Sequence, residues 1–460
     1  MTPRDWLRVH IGVTDRPVFA YQQTNRDYVI LTYRLCTDQV SLLEERESTI
    51  GKDSRANGGE ATDTTNVISF AQRRIGALLH GPLDVSDPSE IGRDSLDSDI
   101  STPIISSSLI VGGCGFLGFH LVRQLMQDDE SGEVYVLDSD ISRNRHENVS
   151  YIKGDISDGG FVRGVINEIR PTVIFHCASP FAALPMSREG EFYATNVKGT
   201  EALLTAASKC DAVQAFVFTS SVDAYANPPH TNADETYPLW SPDDKSNEYN
   251  RTKAIGDCLV RKANSPRLRT VTLLPGHAYG ERHVQGMVEV LDMCKNKKLV
   301  QIGDGKNLME VVSGENNAVA HILAAKALLE PSRASGKVDG EAFNVSDGAP
   351  VPFWHHTRVI WKTARGEDVS KDIIVLPAWV MIVAVILAEW LFWIFTLNTA
   401  KPPVELRRVS LEYCVYTHTY SIEKARKRLG FNPVSNHDAV VAQSARWMLK
   451  YRESMKQKSS

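Results

Sequence analysis

Tyr249 and Lys253 stand four residues apart in the stretch EYNRTKAIGDCLVRKA. On a helix, this spacing places the two side chains on one face. A free tyrosine has a pKa of about 10 and is a poor base at neutral pH. A neighbouring ammonium group lowers that pKa because it favours the phenolate. The pair therefore predicts a base that removes the proton of a substrate hydroxyl group.

The same spacing occurs on solvated helix faces that have no catalytic role. The surrounding sequence is therefore needed to distinguish a catalytic pair from such a face. The stretch FVFTSSVDAY lies upstream and predicts a buried strand that ends at Ser221. Ligands of parallel sheets bind at the carboxyl ends of the strands. We therefore expect the Ser221 hydroxyl to orient the substrate oxygen, and Ser220 is the alternative candidate for this role.

Three glycines, Gly112, Gly115 and Gly118, are spaced three apart in IVGGCGFLGFHLVRQL, between an apolar run and an amphipathic run. Glycine lets the backbone approach a phosphate, and the first amides of a helix bind anions. Asp138 ends the next predicted strand, about 20 residues later, where a carboxylate binds ribose hydroxyls. It would repel a 2′-phosphate, so NAD is favoured and NADP is the alternative. A similar domain without a cofactor is the other interpretation.

From residue 104 onwards, short apolar strands alternate with amphipathic helices. This alternation predicts an α/β fold, a Rossmann-type doubly wound parallel sheet with a smaller C-terminal substrate-binding subdomain. Tyr28–Leu35 reads as one strand in an otherwise polar N-terminal region. The predicted regions are a poorly ordered extension and linker (1–103), a dinucleotide-binding domain (104–275), a substrate-binding region (276–372), an apolar segment (373–397) and the C-terminal part of the substrate-binding region (398–460).

The composition excludes several classes of protein. A net charge of −5 gives no basic face for a nucleic acid. Seven scattered cysteines without a CxxC pair predict neither a disulfide framework nor a zinc site. His355 and His356 are adjacent and the other histidines isolated, so we expect no metal site. The first ten residues lack the apolar core of a secretory signal.

One stretch, Ile373–Leu397, differs from the mixed apolar and charged sequence of a soluble protein. Its 25 residues carry a single charge, Glu389. A helix of about 20 apolar residues crosses a bilayer. Three tryptophans suit a water–lipid boundary. A buried core helix is the alternative. Glu389 argues against a simple span, since a charge in lipid is costly. A tilted span, a hairpin and an interfacial insertion all stay open.

Several further stretches carry a resemblance to one known family. Among them are YIKGDISD, NVKGTEALL, NADETYPL, YNRTKA, QIGDGKNL and GEAFNVSDGAPVPFW. Together with the glycine loop, they make the chain from residue 104 to residue 450 resemble the extended short-chain dehydrogenases. Within that superfamily it is similar to the 3β-hydroxysteroid dehydrogenase family, and in particular to its sterol-4α-carboxylate branch.

The resemblance implies roles for individual residues. Gly112, Gly115, Phe116, Leu117 and Gly118 would bind the pyrophosphate, Asp138 the adenosine ribose, Asp155 and Ile156 the adenine side, Ala178, Ser179 and Pro275 the nicotinamide side, and Ser221, Tyr249 and Lys253 the reacting groups. Tyr249 and Lys253 would also contact the cofactor. Asn196 resembles a position that supports the active-site helix.

For the reaction, the resemblance implies NAD(P)-dependent oxidation of the 3β-hydroxyl of a sterol or triterpenoid 4α-carboxylic acid, with decarboxylation at C4. The alternative is a 3β-hydroxysteroid or terpenoid dehydrogenase that does not decarboxylate. A non-catalytic nucleotide-binding protein and a sugar-nucleotide epimerase are more distant alternatives. Further expectations are an apolar substrate, contact with membrane lipid, an endoplasmic reticulum location with the catalytic domain on the cytosolic side, and a homodimer.

The sequence also departs from the family pattern. Leu274 stands where the family usually has arginine, AYGERH replaces a glycine–proline continuation, and MEVVSGENNAVAH replaces an aromatic-rich segment. The last two departures fall in the predicted substrate-binding region, and Leu274 lies just before its start. They leave the hydride chemistry intact and the exact substrate open.

Overall fold

The computed structural model describes residues 104–180, 190–244, 247–284, 286–396 and 408–459. The predicted extension, with its strand at Tyr28–Leu35, lies outside these residues. The described residues from 104 to 455 belong to one compact unit.

The described strands and helices are numbered along the chain. The strands are β1 (Ile105–Val111), β2 (Ser131–Asp138), β3 (Ser150–Lys153), β4 (Val173–His176), β5 (Ala215–Thr219), β6 (His230–Ala233), β7 (Arg269–Pro275), β8 (His277–Tyr279), β9 (Leu299–Ile302), β10 (Leu308–Met309), β11 (Val311–Ser313), β12 (Glu341–Val345), β13 (Val351–Pro352), β14 (Ile373–Leu376) and β15 (His418–Tyr420). The helices are α1 (Phe116–Gln127), α2 (Gly159–Ile169), α3 (Glu191–Tyr193), α4 (Thr200–Ala207), α5 (Glu248–Lys262), α6 (Met287–Met293), α7 (Gly314–Leu329), α8 (Phe353–Arg365), α9 (Ala378–Thr396), α10 (Arg408–Val415), α11 (Glu423–Leu429) and α12 (His437–Ser459).

A seven-stranded parallel sheet with the order β12-β7-β5-β4-β1-β2-β3 forms the centre of the unit. This topology confirms the predicted Rossmann-type sheet. The outermost strand, β12, pairs with β7 from Glu341 to Val345. The sheet therefore extends beyond residue 275, where the sequence analysis places the end of the dinucleotide-binding domain.

Burial on both faces explains why the central strands are almost wholly apolar. Successive residues of a strand point to opposite faces. On β1, Ile110 joins the core cluster under α1 and α7, and Leu109 and Val111 join the cluster under α2 and α4. All five residues of β5 are buried in the same way. The layered core holds the carboxyl ends of the strands in one line.

The rest of the unit contains smaller sheets. One has four strands in the order β13-β10-β15-β6, and two have a single pair each, β11 with β8 and β14 with β9. The predicted apolar segment is not one continuous helix, because its first residues form β14, in register with β9. The helix that follows, α9, is long and apolar enough to cross a membrane by length and composition, and among the described residues it is alone in this.

Candidate active site

The glycine loop lies between β1 and α1, as predicted. Gly112 has a φ of +84°, and a Cβ there would lie 2.6 Å from the backbone nitrogen of Ala178. A Cβ on Gly118 would lie 2.2 Å from the carbonyl oxygen of Gly112. Only glycine fits these two positions, because the loop, the helix and the end of β4 meet there without room for a side chain.

The first turn of α1 is free to bind an anion. The residue that precedes it, Gly115, offers no side chain to cap the helix. The amides of Phe116, Leu117 and Gly118 are the first of the helix and have no partner within it. A side-chain-free loop before an uncapped helix N-terminus fits the pyrophosphate of a dinucleotide.

Asp138 is the last residue of β2. One of its carboxylate oxygens accepts a hydrogen bond from the backbone N–H of Cys114, at 3.0 Å, and the other accepts one from the N–H of Asp140, at 3.0 Å. These bonds orient the carboxylate beside the glycine loop. The structure therefore places Asp138, the predicted ribose-binding residue, next to the glycine loop, which is the predicted pyrophosphate site.

The other predicted cofactor residues follow the strands of the same sheet edge. Asp155 follows β3, is exposed, and accepts a hydrogen bond from the backbone of Ser157. The side chain of Ile156 is buried against Gly199. Ala178 and Ser179 follow β4, and Pro275 is the last residue of β7 rather than the residue after it.

Helix α5 carries Tyr249 and Lys253 in its first two turns. The side chain of Asn247 caps it by accepting a hydrogen bond from the backbone of Asn250, at 2.8 Å. Glu248 lies in the first turn and basic residues lie in the last, which matches the helix dipole. The predicted helix is therefore present, and it carries Tyr249 and Lys253 near its N-terminus.

Lys253 is buried, with 3% of its surface exposed. Its Nζ donates a hydrogen bond to the carbonyl oxygen of Thr219, at 2.9 Å, and lies 5.9 Å from the centre of the Tyr249 ring. Burial lowers the pKa of Lys253 to about 8, because an ammonium loses its hydration there. The lysine therefore places a cation beneath the phenol ring.

The structure separates the roles of the two serines. Strand β5 ends at Thr219, two residues before Ser221, and not at Ser221 itself. The buried Ser220 donates a hydrogen bond to the backbone carbonyl of Lys253, at 3.3 Å, and so holds α5. Burial raises the pKa of the Tyr249 phenol, and the nearby Ser221 hydroxyl offsets part of that rise. Ser221 Oγ donates a hydrogen bond to Asp223 Oδ2, at 3.3 Å. Ser221 is thus the serine at the candidate site.

Asp223 is a site residue that the sequence analysis did not identify. It lies in a short 3₁₀ turn, Val222–Ala224, and its backbone N–H donates a hydrogen bond to Ser221 Oγ, at 3.1 Å. Its charge adds to burial in raising the pKa of Tyr249 above the usual value. Burial also raises the pKa of Tyr413, a residue of α10, and the charge of Asp223 adds to that rise. The only signal in the sequence is its position two residues after Ser221.

Asn196 lies in a π-helical segment, Ala194–Gly199, which continues α3 into α4. It is fully buried, and its amide donates a hydrogen bond to Thr252 Oγ1, at 3.0 Å. Thr252 in turn donates one to the backbone carbonyl of Tyr249, at 3.0 Å. Asn196 therefore contacts the active-site helix, as the resemblance implies, and Thr252 is a connecting residue that sequence reasoning missed.

The described residues include one group that could hold a metal ion, made of His355, His437 and Asp438. His355 Nε2 and His437 Nδ1 each lie 2.8 Å from the same oxygen of Asp438. The expectation that His355 has no histidine near it except His356 is therefore wrong, because α8 and α12 bring it to His437. The two histidines of this group therefore hydrogen-bond to one carboxylate, that of Asp438.

Comparisons with known proteins agree with this geometry. The profile of the 3-beta hydroxysteroid dehydrogenase/isomerase family matches residues 109–377. Sterol-4-alpha-carboxylate 3-dehydrogenase, decarboxylating, from Saccharomyces cerevisiae is 34% identical over 359 residues, which are 75% of this chain and 98% of the yeast protein. The mouse enzyme of the same name is 28% identical over 353 residues, 75% of this chain and 91% of its own.

Solved structures share the fold. UDP-glucose 4-epimerase from Thermotoga maritima has a TM-score of 0.54 at 20% identity, covering 75% of this chain and 99% of that one. A dTDP-glucose 4,6-dehydratase from Bacillus anthracis, solved in complex with NAD, has a TM-score of 0.54 at 20% identity, covering 75% and 97%. The chain thus belongs to the 3-beta hydroxysteroid dehydrogenase/isomerase family and is an NAD(P)-dependent dehydrogenase.

Proposed function

We propose that this protein oxidises the 3β-hydroxyl of a sterol or triterpenoid 4α-carboxylic acid to the ketone, with loss of the C4 carboxylate as carbon dioxide. The observation that carries the proposal is the grouping of Ser221, Tyr249 and Lys253 at the end of β5, on the same sheet edge as the glycine loop. The names of the yeast and mouse relatives support the choice of substrate.

In this mechanism, Ser221 donates a hydrogen bond to the substrate oxygen and orients it. Tyr249 takes the hydroxyl proton. A nicotinamide held beside Ala178, Ser179 and Pro275 would supply the acceptor for the hydride of C3. The buried ammonium of Lys253 favours the phenolate form of Tyr249. The product is a β-keto acid, which releases carbon dioxide because the bonding electrons move into the new carbonyl as an enolate. Protonation of the enolate gives the ketone.

We propose NAD rather than NADP as the cofactor. The support is Asp138, whose carboxylate is held beside the loop by two backbone N–H groups. A carboxylate there binds the two ribose hydroxyls and repels a 2′-phosphate. We also propose that Ala178, Ser179 and Pro275 lie beside the nicotinamide.

Asp223 favours a second candidate, a dehydrogenase that acts on a neutral 4-methyl or unsubstituted 3β-alcohol without decarboxylation. The carbon that bears the carboxylate is next to the carbon that bears the reacting hydroxyl. An acid substrate would therefore bring its charge close to Asp223, and like charges repel. A neutral substrate would meet no such repulsion.

Paired substrates separate the two candidates. The purified full-length protein is given NAD with a 3β-hydroxy-4α-carboxysterol, or with the matching 4-methyl sterol, and NADH and trapped carbon dioxide are measured. Equal amounts of NADH and carbon dioxide from the acid support decarboxylation. Turnover of the methyl sterol alone would contradict the decarboxylating function and support the second candidate. Tyr249→Phe should lower kcat about 10²–10⁴-fold with unchanged NAD affinity.

We further propose a location on the endoplasmic reticulum membrane, with the catalytic domain on the cytosolic side, and a homodimer. The resemblance to sterol-metabolising relatives and the apolar helix α9 support the location. An apolar sterol partitions into lipid, so a membrane-bound enzyme would meet its substrate there.

A further inference from the structure

Helix α9 presents an apolar stripe to solvent. We define it by its most exposed members: Trp379, Val383, Leu387, Trp390, Leu391, Trp393, Ile394 and Phe395. Trp379 is 70% exposed and Phe395 is 82% exposed. Soluble proteins rarely leave so many neighbouring apolar side chains in water. The stripe therefore needs a partner.

The opposite side of α9 is less exposed to solvent. Val385 is buried, and Ile382, Glu389 and Phe392 are half-buried. These residues recur at helical spacing. Helix α9 contacts α10, and Glu389 bonds to the backbone of Arg408 on this side. A helix that crosses a bilayer by itself meets lipid on every side, whereas α9 contacts α10 on one side and is exposed on the other.

The chain enters α9 from the catalytic unit. Strand β14 pairs with β9 up to Leu376, which lies opposite Ile302. Only Pro377 separates this pair from the first residue of the helix. The start of α9 is therefore attached to the unit that carries the active site.

The middle of α9 is attached to the same unit. Glu389 accepts a hydrogen bond from the backbone N–H of Arg408, the first residue of α10, at 2.7 Å. Helix α10 is itself bound to the unit, because the carbonyl of Cys414 accepts a hydrogen bond from Trp354, at 3.2 Å. Glu389 lies about 16 Å along the helix from Ala378. In a spanning helix, it would be near the centre of the bilayer.

These attachments are incompatible with a span. A span would carry the Glu389 carboxylate and the first turn of α10 into the hydrocarbon, where charges and unpaired backbone groups are costly. We propose instead that α9 lies in the plane of one leaflet, with the apolar stripe in lipid and both flanks on the same side.

The exposed edge of β14 continues this surface. Ile374 is 46% exposed and Val375 is 53% exposed, and they precede the stripe directly. Helix α10, which contacts α9, carries Tyr413. This residue lies close enough to Asp223 for the charge of Asp223 to affect its pKa. One helix pair thus connects the lipid-facing surface with the candidate active site.

A vesicle-binding experiment tests the occupant of the stripe. Full-length protein is floated with phosphatidylcholine vesicles, and the double variant Leu387→Ser/Trp390→Ser is compared with Val434→Ser. Val434 is 74% exposed and lies outside α9, so it is the matched control. We expect the double variant to bind vesicles at least about tenfold less, and the control to bind like wild type. NAD affinity and melting temperature confirm that each variant is folded.

A labelling experiment tests the topology. Lys371→Cys and Arg408→Cys place a thiol on either side of α9, at exposed positions. Sealed microsomes are treated with a membrane-impermeant maleimide, and mass spectrometry identifies the modified sites. In-plane insertion predicts that both sites react before permeabilisation. Protection of one site until detergent is added would show a span and overturn the proposal, as would wild type that fails to float.

Discussion

The Nζ of Lys253 lies 2.9 Å from the carbonyl oxygen of Thr219, so a cation of α5 is bonded to the last residue of β5. This bond joins the two elements that carry the candidate chemistry, since Ser221 follows β5 and Tyr249 is on α5. The lysine thus has a structural contact as well as an electrostatic effect. Its substitution should affect both stability and activity.

Lys253→Met should abolish turnover and change how stability depends on pH. The pKa of this lysine is about 8 in the folded protein and 10.5 in its ordinary state. Between these values the unfolded chain binds more protons than the folded one, so stability rises with pH in wild type relative to the variant. Below pH 8 the difference should be constant. Urea unfolding of both proteins without cofactor, at pH 7, 8.5 and 10, measures the difference in their free energies of unfolding. A difference that stays constant to pH 10 would contradict the lowered pKa of Lys253.

Gly118→Ala should destabilise the protein by about 1–3 kcal/mol and weaken NAD binding, because the new methyl group would overlap the backbone of the glycine loop. The matched control is Gly164→Ala on α2, where a Cβ meets nothing within 4 Å. It should be neutral or stabilising by about 0.5–1 kcal/mol. Thermal melting and NAD titration compare them. Equal behaviour of the two variants would argue against tight packing at the loop.

Asp138→Ala should reduce the preference for NAD. The variant loses the carboxylate that would bind the ribose hydroxyls and repel a 2′-phosphate, and hydrogen bonds to a charged group contribute about 1.5–3 kcal/mol. The ratio of kcat/KM for NAD to that for NADP should fall about tenfold to a hundredfold. Steady-state kinetics with both cofactors measure it. An unchanged ratio would mean that another residue distinguishes the ribose of NAD from the 2′-phosphorylated ribose of NADP.

Asp223→Asn should shift the acidic limb of the pH profile of kcat/KM to lower pH. The charge of Asp223 raises the pKa of Tyr249, so its removal lowers that pKa and makes the phenolate available at lower pH. The variant should also improve kcat/KM for a carboxylated sterol more than for a neutral one. Asp368→Asn, at an exposed position, is the control. A profile that matches wild type would remove Asp223 from the site.

Local patterns were sufficient to predict much of this site. The glycine spacing, the acidic end of β2 and the four-residue interval between Tyr249 and Lys253 each lie within one strand–helix unit. Backbone sterics and helix periodicity determine such features over a few residues. The alternation of strands and helices also predicted the parallel sheet, because buried parallel strands leave an apolar signal.

Other features depended on residues far apart in the chain. Only the fold shows that Ser220 bonds to the backbone of Lys253 while Ser221 contacts Tyr249, and that His355 lies beside His437. Glu389 read as an isolated charge in an apolar run, and in the structure it binds Arg408. A sequence alone determines local backbone preference and side-chain periodicity. Tertiary structure decides which polar groups meet, because each such pair depends on the packing of elements that no local pattern connects.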